Sequence, residues 1–261
     1  MKVLFIGDII GRPGRRAVQQ ILPKLQSNGR LDLVIANCEN AAAGFGITRE
    51  VVDELLNCRI DVLTSGNHIW DKKEVLDFIH EYPNLLRPAN YPPQVPGRGS
   101  IVTTTKAGLP IGIINLSGRI FMPPADCPFR TAEREIEALK KRTKIIIVDF
   151  HAEATSEKIA LGWFLDGRVS AVIGTHTHVQ TADERILPHG TAYLTDAGMT
   201  GPFDSVIGTR KEIIIERFLS LMPNKFEVAK GDVRLQGASI EIDEDTGQAI
   251  SIDRVSLNMS P

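Results

Sequence analysis

Short β-branched runs alternate with stretches of helical period through the first two thirds of this chain, and that alternation restricts the fold more than any other feature. The runs are KVLFIG (2–7), LDLVIANC (31–38), IDVLTSG (60–66), KIIIVDFH (144–151) and VSAVIGT (169–175). Between them stand GRRAVQQILPKLQ behind Pro13, TREVVDELLN with Thr48 placed to cap it, and DKKEVLDFIH, while TAEREIEALKKR and SEKIALGWFL complete the series. A proline loses nothing in a first turn, and a threonine hydroxyl accepts from the orphan N–H groups there. Strand and helix repeated in this way build βα units and a largely parallel sheet, so the chain is read as α/β. Two other stretches alternate with period two and read as antiparallel. They are GSIVTTTKAGLPIGIINLSG (99–118), around a Lys-Ala-Gly turn, and the C-terminal KFEVAKGDVRLQGASIEIDEDTGQAISIDRVSL, turning at Gly231 and at Asp245 to Gly247. The proline-rich RPANYPPQVPGRG (87–99) is a long loop. Without a repeat or a shift in composition to mark a boundary, residues 1–261 are expected to form one domain.

Composition removes several classes of function. A hydrophobic fraction of 43% and a charged fraction of 24% belong to a chain with a real core, which argues against disorder. A net charge of -2 provides no long-range field for a polyanion, so no stable nucleic-acid partner is expected and phosphate recognition must be local. Cys38, Cys58 and Cys127 are odd in number and lack CxxC spacing, which fits neither a disulfide framework nor a thiolate zinc site and suits a reducing cytoplasm. The apolar start MKVLFIGDIIG is interrupted by Asp8 and reads as a first strand rather than a signal peptide. No apolar run approaches the roughly 20 residues of a membrane helix, so no membrane association is expected.

Polar residues stand directly behind each apolar run: Asp8, then Glu39 and Asn40, then Asn67 and His68, then His151, then His176 with His178. The carboxyl ends of parallel strands share one rim, where ligands bind. Four of the six histidines stand at such ends, whereas His80 ends a helix and His189 lies in a turn. In an extended segment His176 and His178 project to one side, so both imidazoles can face the same point. Each residue alone has a plain structural use: Asp8 could cap a helix, GNH could be only a turn, and His151 could be a hydrogen-bonded core histidine. Together they form a nitrogen and oxygen donor set suited to Zn, Mn or Fe. More than six donors exceed the needs of one tetrahedral ion, and two ions about 3.5–4 Å apart sharing a carboxylate would use them. GDIIGRPG (7–14) has the wrong spacing for a dinucleotide fingerprint, and Asp8 would repel a pyrophosphate.

These residues resemble the calcineurin-like metallophosphoesterases. The longer strings FIGDIIGRPGR, ENAAAGFGIT, GNHIWDKKEV, RPANYP, DFHAEATSEKIALGW, GTHTHVQTADERILPHGTAY and TDAGMTGP resemble the YmdB-like branch over nearly the whole chain. The resemblance implies a four-layer sandwich of two mixed β-sheets flanked by helices, and a hydrolase with a dinuclear iron or manganese centre. It implies phosphodiesterase activity on cyclic nucleotides, 2′,3′-cyclic monophosphates foremost and 3′,5′-cyclic nucleotides as a second class, and a homo-oligomer. Carried over by position, Asp8, Glu39, Asn40 and His178 would hold one ion and Glu39, Asn67, His151 and His176 the other, with His68 as proton donor. Ile10 stands where the wider superfamily has a metal-binding histidine, which makes the first site richer in oxygen.

The mechanism this suggests is attack on phosphorus by a hydroxide bridging the two ions, with His68 protonating the leaving ribose oxygen. Arg12, Arg15 and Arg16 could bind phosphate or form a solvated helix face, and DAGMTGPFDSVIG (196–208) could cradle phosphate on its backbone or serve as a simple connection. Two rival functions stay open on the residues alone: a metal-containing nucleotide sensor or scaffold with little turnover, and a metal-dependent ester or amide hydrolase.

Overall fold

The expected alternation is present in the computed structural model, which describes residues 1–29 and 31–260. In chain order the first half contains β1 (Lys2–Ile6), β2 (Asp8–Ile9), α1 (Gly11–Asn28), β3 (Leu33–Asn37), α2 (Arg49–Asn57), β4 (Val62–Thr64) and α3 (Val75–Phe78). Then come β5 (Ser100–Thr104), β6 (Pro110–Ser117), α4 (Pro128–Leu139), β7 (Ile146–His151), α5 (Thr155–Leu165) and β8 (Ala171–Thr175). The rest is β9 (Arg185–Ile186), β10 (Ala192–Leu194), β11 (Met199–Pro202), α6 (Lys211–Ser220), β12 (Val233–Ile242) and β13 (Ala249–Asn258). Thr48 caps α2 as expected, its hydroxyl accepting from Val51 N–H. Pro13 sits in the first turn of α1, which begins two residues earlier, at Gly11. The helix expected over DKKEVLDFIH shrinks to α3 and one 3₁₀ turn at Ile79–Glu81, because the chain before it is spent in the turns around Asn67 and His68.

These strands form two mixed sheets. One runs β2, β11, β12, β1, β3, β4, with β13 on the other side of β12, and the other runs β5, β6, β7, β8, β10, β9. β1, β3 and β4 are parallel, as are β6, β7, β8 and β10 and the short pair β2 and β11, while β12 with β13 in the first sheet and β5 and β9 in the second pair antiparallel. The C-terminal hairpin is the pair β12 and β13. Upstream of Gly231 the expected strand shrinks to a single bridge between Thr209 and Val228.

Three apolar layers hold the sandwich together. One packs α1 and α2 on the first sheet through Val18, Leu22, Val52 and Leu55, and another packs α4 and α5 on the second through Ile136, Leu139 and Leu161. Between the sheets Phe5, Ile35 and Val62 meet Ile113, Ile147 and Ile173. This gives the four layers of helix, sheet, sheet and helix. Towards the carboxyl ends of the parallel strands the core between the sheets turns polar. Asn115 of β6 accepts from Ser65 N–H at 3.0 Å and donates to Ser65 O at 2.9 Å, tying the second sheet to the chain leaving β4. Asn37 of β3 donates to Asp149 of β7 at 3.3 Å.

Buried backbone groups need partners, so the Asn115 clamp is structural. Asn115→Ala leaves an N–H and a C=O of Ser65 unpaired in the core, and each should cost about 1–3 kcal/mol. Urea unfolding should show a lower midpoint with an unchanged slope.

Candidate active site

Two sheet ends meet at the site. From the first sheet come Asp8, at the start of β2, Glu39 and Asn40, in the turn after β3, and Asn67 and His68, in the turn after β4. From the second come His151, the last residue of β7, and His176 and His178, just beyond β8. Asp8, Glu39 and His151 are fully buried. The single rim expected from the sequence is therefore two rims set face to face. Gly66 is required by this approach: a Cβ there would overlap the His151 ring.

His176 and His178 do not share a side by strand alternation. The strand ends at Thr175, and both histidines have positive φ, 102° and 64°, in a region that residues other than glycine enter only under strain. A buried ion pair holds the turn. Asp196 Oδ2 accepts from Thr177 N–H at 3.1 Å, from Thr177 Oγ1 at 2.8 Å and from Lys158 Nζ at 2.6 Å. Lys158 also donates to Thr175 O at 2.7 Å, so the ammonium grips the chain just before His176.

Each of the three imidazoles has one ring nitrogen engaged by an oxygen and the other turned towards the shared hollow. His151 Nδ1 lies 3.0 Å from Thr175 Oγ1, whose own proton goes to Asp149 at 2.7 Å. His176 Nε2 lies 3.1 Å from Glu153, and His178 Nδ1 donates to Ile207 O at 2.9 Å. Such partners fix the tautomer and direct the remaining lone pair inwards. His151 Nε2 lies 3.0 Å from each of Asn67 Oδ1, Glu39 Oε1 and His176 Nδ1. His178 Nε2 lies 3.3 Å from Asn40 Nδ2 and 3.7 Å from Asp8 Oδ1, and Asn40 touches Glu39 Oε1 at 3.3 Å. All seven donor residues expected from the sequence come together, with Glu39 in contact with both groups.

A cation fits this set. Asp8 Oδ1 and Asn40 Oδ1 are buried with no hydrogen-bond partner, and such orphans are uncommon. One ring nitrogen carries at most one proton, so His151 Nε2 cannot satisfy three acceptors at once. Neighbouring ligands at right angles with bonds of about 2.1 Å stand about 3.0 Å apart, the spacing around His151. Charge follows the same logic. Burial works to raise Glu39, but the charge and hydrogen bond of His151, with His68, outweigh it and hold Glu39 down at about 2. Burial and the neighbouring His151 push His176 down to about 3, so it is a neutral imidazole. Burial also works against a charge on His151, yet Glu39, Asp8 and Asp149 push it up to about 9. A proton and a metal ion compete for that point.

His68 stands beside the donors. Its N–H donates to Glu39 Oε2 at 2.8 Å, its Nδ1 lies 2.8 Å from Asp71, and its ring packs edge-on to Phe45 at 5.0 Å. It lines a cavity of about 680 Å³ together with Asn40, His176, His178, Phe45 and Phe226. α6 buries none of its own residues and borders the same cavity with Ile214 and Phe218. His80 and His189 are not among the lining residues, and His189 pairs with Asp166 at 2.8 Å.

Several supporting residues escaped sequence reasoning. Asp71 follows His68 by three residues and Glu153 follows His151 by two, offsets that carry some signal. Lys158 carried none, since a lysine in a helix is ordinarily solvated. Within 196–208, expected as a phosphate cradle or a simple connection, Met199–Pro202 is the buried strand β11 and the N–H groups of Gly198 and Gly208 are engaged by Asp196 and Ser205, while Val206, Ile207 and Gly208 line the cavity. Arg15 is occupied by Glu54 at 2.7 Å and by Ala41 O at 2.7 Å, which removes it as a phosphate ligand.

Removing one partner of a buried pair leaves an uncompensated charge. Lys158→Met should lose about 3–5 kcal/mol in urea unfolding. The folded fraction, purified and exposed to Mn²⁺, should retain less metal by elemental analysis than the unaltered protein, because the turn carrying His176 and His178 loosens.

A family described as YmdB-like protein matches residues 4–255. The chain is 52% identical over 99% of its length, and 97% of the relative's, to a 2′,3′-cyclic-nucleotide 2′-phosphodiesterase of Bacillus subtilis. Among solved structures, a hypothetical protein from Thermus thermophilus superposes with a TM-score of 0.93 at 43% identity, covering 100% of both chains. A protein described as a novel phosphatase, from Mycoplasma pneumoniae, gives 0.92 at 37% identity over 99% of this chain and 93% of the other. Among the described residues no helix is long and apolar enough to cross a membrane. With the two-sheet sandwich and the metal-type donor set already in view, these matches identify the chain as a hydrolase that belongs to the YmdB-like family of the metallophosphoesterases.

Proposed function

We propose that the chain hydrolyses nucleoside 2′,3′-cyclic phosphates to nucleoside 3′-phosphates at a centre of two cations. Asp8, Glu39, Asn40 and His178 would hold one ion and Glu39, Asn67, His151 and His176 the other. The observation that carries this reading is the inward aim of three imidazoles, each with its other nitrogen engaged, around the unpartnered oxygens of Asp8 and Asn40. Iron or manganese suits such a mixed nitrogen and oxygen set, and free cysteines at 38, 58 and 127 fit a reducing cytoplasm. When bound, the cations supply activation of a water for attack on phosphorus and neutralise charge on the phosphoryl oxygens.

The chain's own residues do the rest. Water adds its oxygen to phosphorus, the P–O2′ bond breaks, and the departing O2′ takes a proton from His68. Asp71, on Nδ1, orients the ring and leaves Nε2 for that transfer. Phe45 packs against the ring and limits its rotation.

His68→Ala should lose about 10²- to 10⁴-fold in turnover of a 2′,3′-cyclic nucleotide, the usual contribution of a positioned acid, with metal content unchanged. A bis(p-nitrophenyl) phosphate substrate, whose leaving group needs no proton, should suffer far less. Equal losses on both substrates would remove His68 from the acid role, and loss of metal would make it a ligand. Glu39→Ala should abolish turnover of both substrates and lower the metal content, since Glu39 touches both donor groups.

A further inference from the structure

The cavity beside the donor cluster adjoins a second one. Ala43, Phe226, Glu227 and Val228 line both, and beyond them lies a hollow of about 660 Å³ bordered by Arg12, Arg16, Lys225 and Lys230. Arg12 and Arg16 are one turn apart on α1, on one face of the helix. All four side chains are exposed, and among the described residues none has an ion pair or hydrogen bond. Basic residues nearby are already engaged: Arg15 by Glu54, Arg210 by Glu227, and Lys211 by Asp204. Among the described residues the one carboxylate bordering the hollow, Glu227, is paired with Arg210 at 2.9 Å. Among the described residues four cations without an ion-pair partner thus border one hollow, on a chain whose formal net charge is -2.

A cyclic mononucleotide has a single phosphate, and the donor cluster consumes it. A second phosphate site is of use only to a substrate with further phosphates on its 5′ side. Phe226 lines both hollows, 6.0 Å from Phe45 and with the Arg217 guanidinium 4.9 Å over its ring, so a strand crossing there meets an aromatic ring and a guanidinium plane on which a base can stack.

We propose that the enzyme acts on the 3′ ends of short single-stranded RNA, with the terminal 2′,3′-cyclic phosphate at the donor cluster, a base on Phe226, and the upstream phosphates on Arg12, Arg16, Lys225 and Lys230. This rests on the cyclic phosphodiesterase reading of the donor cluster. The chemistry is the same: water oxygen bonds to phosphorus, the P–O2′ bond breaks, O2′ takes the proton, and the strand is left with a 3′-phosphomonoester end. The RNA is a substrate held briefly at one end, which agrees with the absence of any general positive field.

The test compares kcat/KM for adenosine 2′,3′-cyclic phosphate, its 5′-phosphorylated form and a short oligoribonucleotide ending in the same cyclic nucleoside. Each is assayed with the Mn²⁺-loaded protein and with the double variants Arg12→Glu/Arg16→Glu and Lys225→Glu/Lys230→Glu. The oligomer should be preferred by about tenfold or more, mainly through KM. Two neutralised phosphates should make that preference fall about sevenfold between about 50 and 200 mM salt. Each double variant should remove most of it and leave the mononucleotide rate unchanged. Equal kcat/KM for oligomer and mononucleotide, or equal loss on both in the variants, would overturn the proposal, as would a gain captured in full by the 5′-phosphorylated mononucleotide. Failure of the unaltered enzyme to hydrolyse any of the three would instead overturn the cyclic phosphodiesterase reading.

Discussion

Mutual repulsion among inward-turned lone pairs is the constraint on which the rest of this structure depends. Nitrogens of His151, His176 and His178 and oxygens of Asp8, Glu39 and Asn67 crowd one hollow, three of them 3.0 Å from a single imidazole nitrogen. Groups so placed destabilise one another unless positive charge lies among them. A proton at His151 relieves one contact and leaves the others; burial works against it, yet the Glu39, Asp8 and Asp149 carboxylates push the His151 pKa up to about 9. Divalent cations among the donors would relieve all of these contacts.

Keeping the donors in place falls to polar groups behind them. Thr175 and Asp149 steer His151, Glu153 steers His176, and a backbone carbonyl steers His178. The buried pair of Lys158 and Asp196 holds the left-handed turn through which two histidines reach the hollow. Because the donors come from two sheets, the apolar layer between those sheets sets the width of the site, and the Asn115 clamp fixes its position near His68. Core packing and chemistry are thus coupled through a few residues.

Much of this was legible in the residues. The polar side chains following β1, β3, β4, β7 and β8 pointed to one place because strand carboxyl ends in α/β sheets converge. Gly66 in GNH carried a signal read only as a turn, whereas the His151 ring occupies the space a side chain would take. Alternation failed at His176 and His178, since period-two reasoning assumes the strand continues and here it stops at Thr175. Lys158 was illegible because helical periodicity cannot reveal a partner 38 positions away in sequence. Strand β11 was hidden because glycine and proline disfavour a strand locally, and only pairing with β2 and β12 makes one.

The most direct test is an anomalous difference map from crystals of the Mn²⁺-reconstituted protein. Two peaks are predicted, both within bonding distance of the Glu39 carboxylate, one beside Asp8 and His178 and the other beside His151 and His176. Peaks remote from these side chains, or no peak in a protein that still turns over a cyclic nucleotide, would contradict the account.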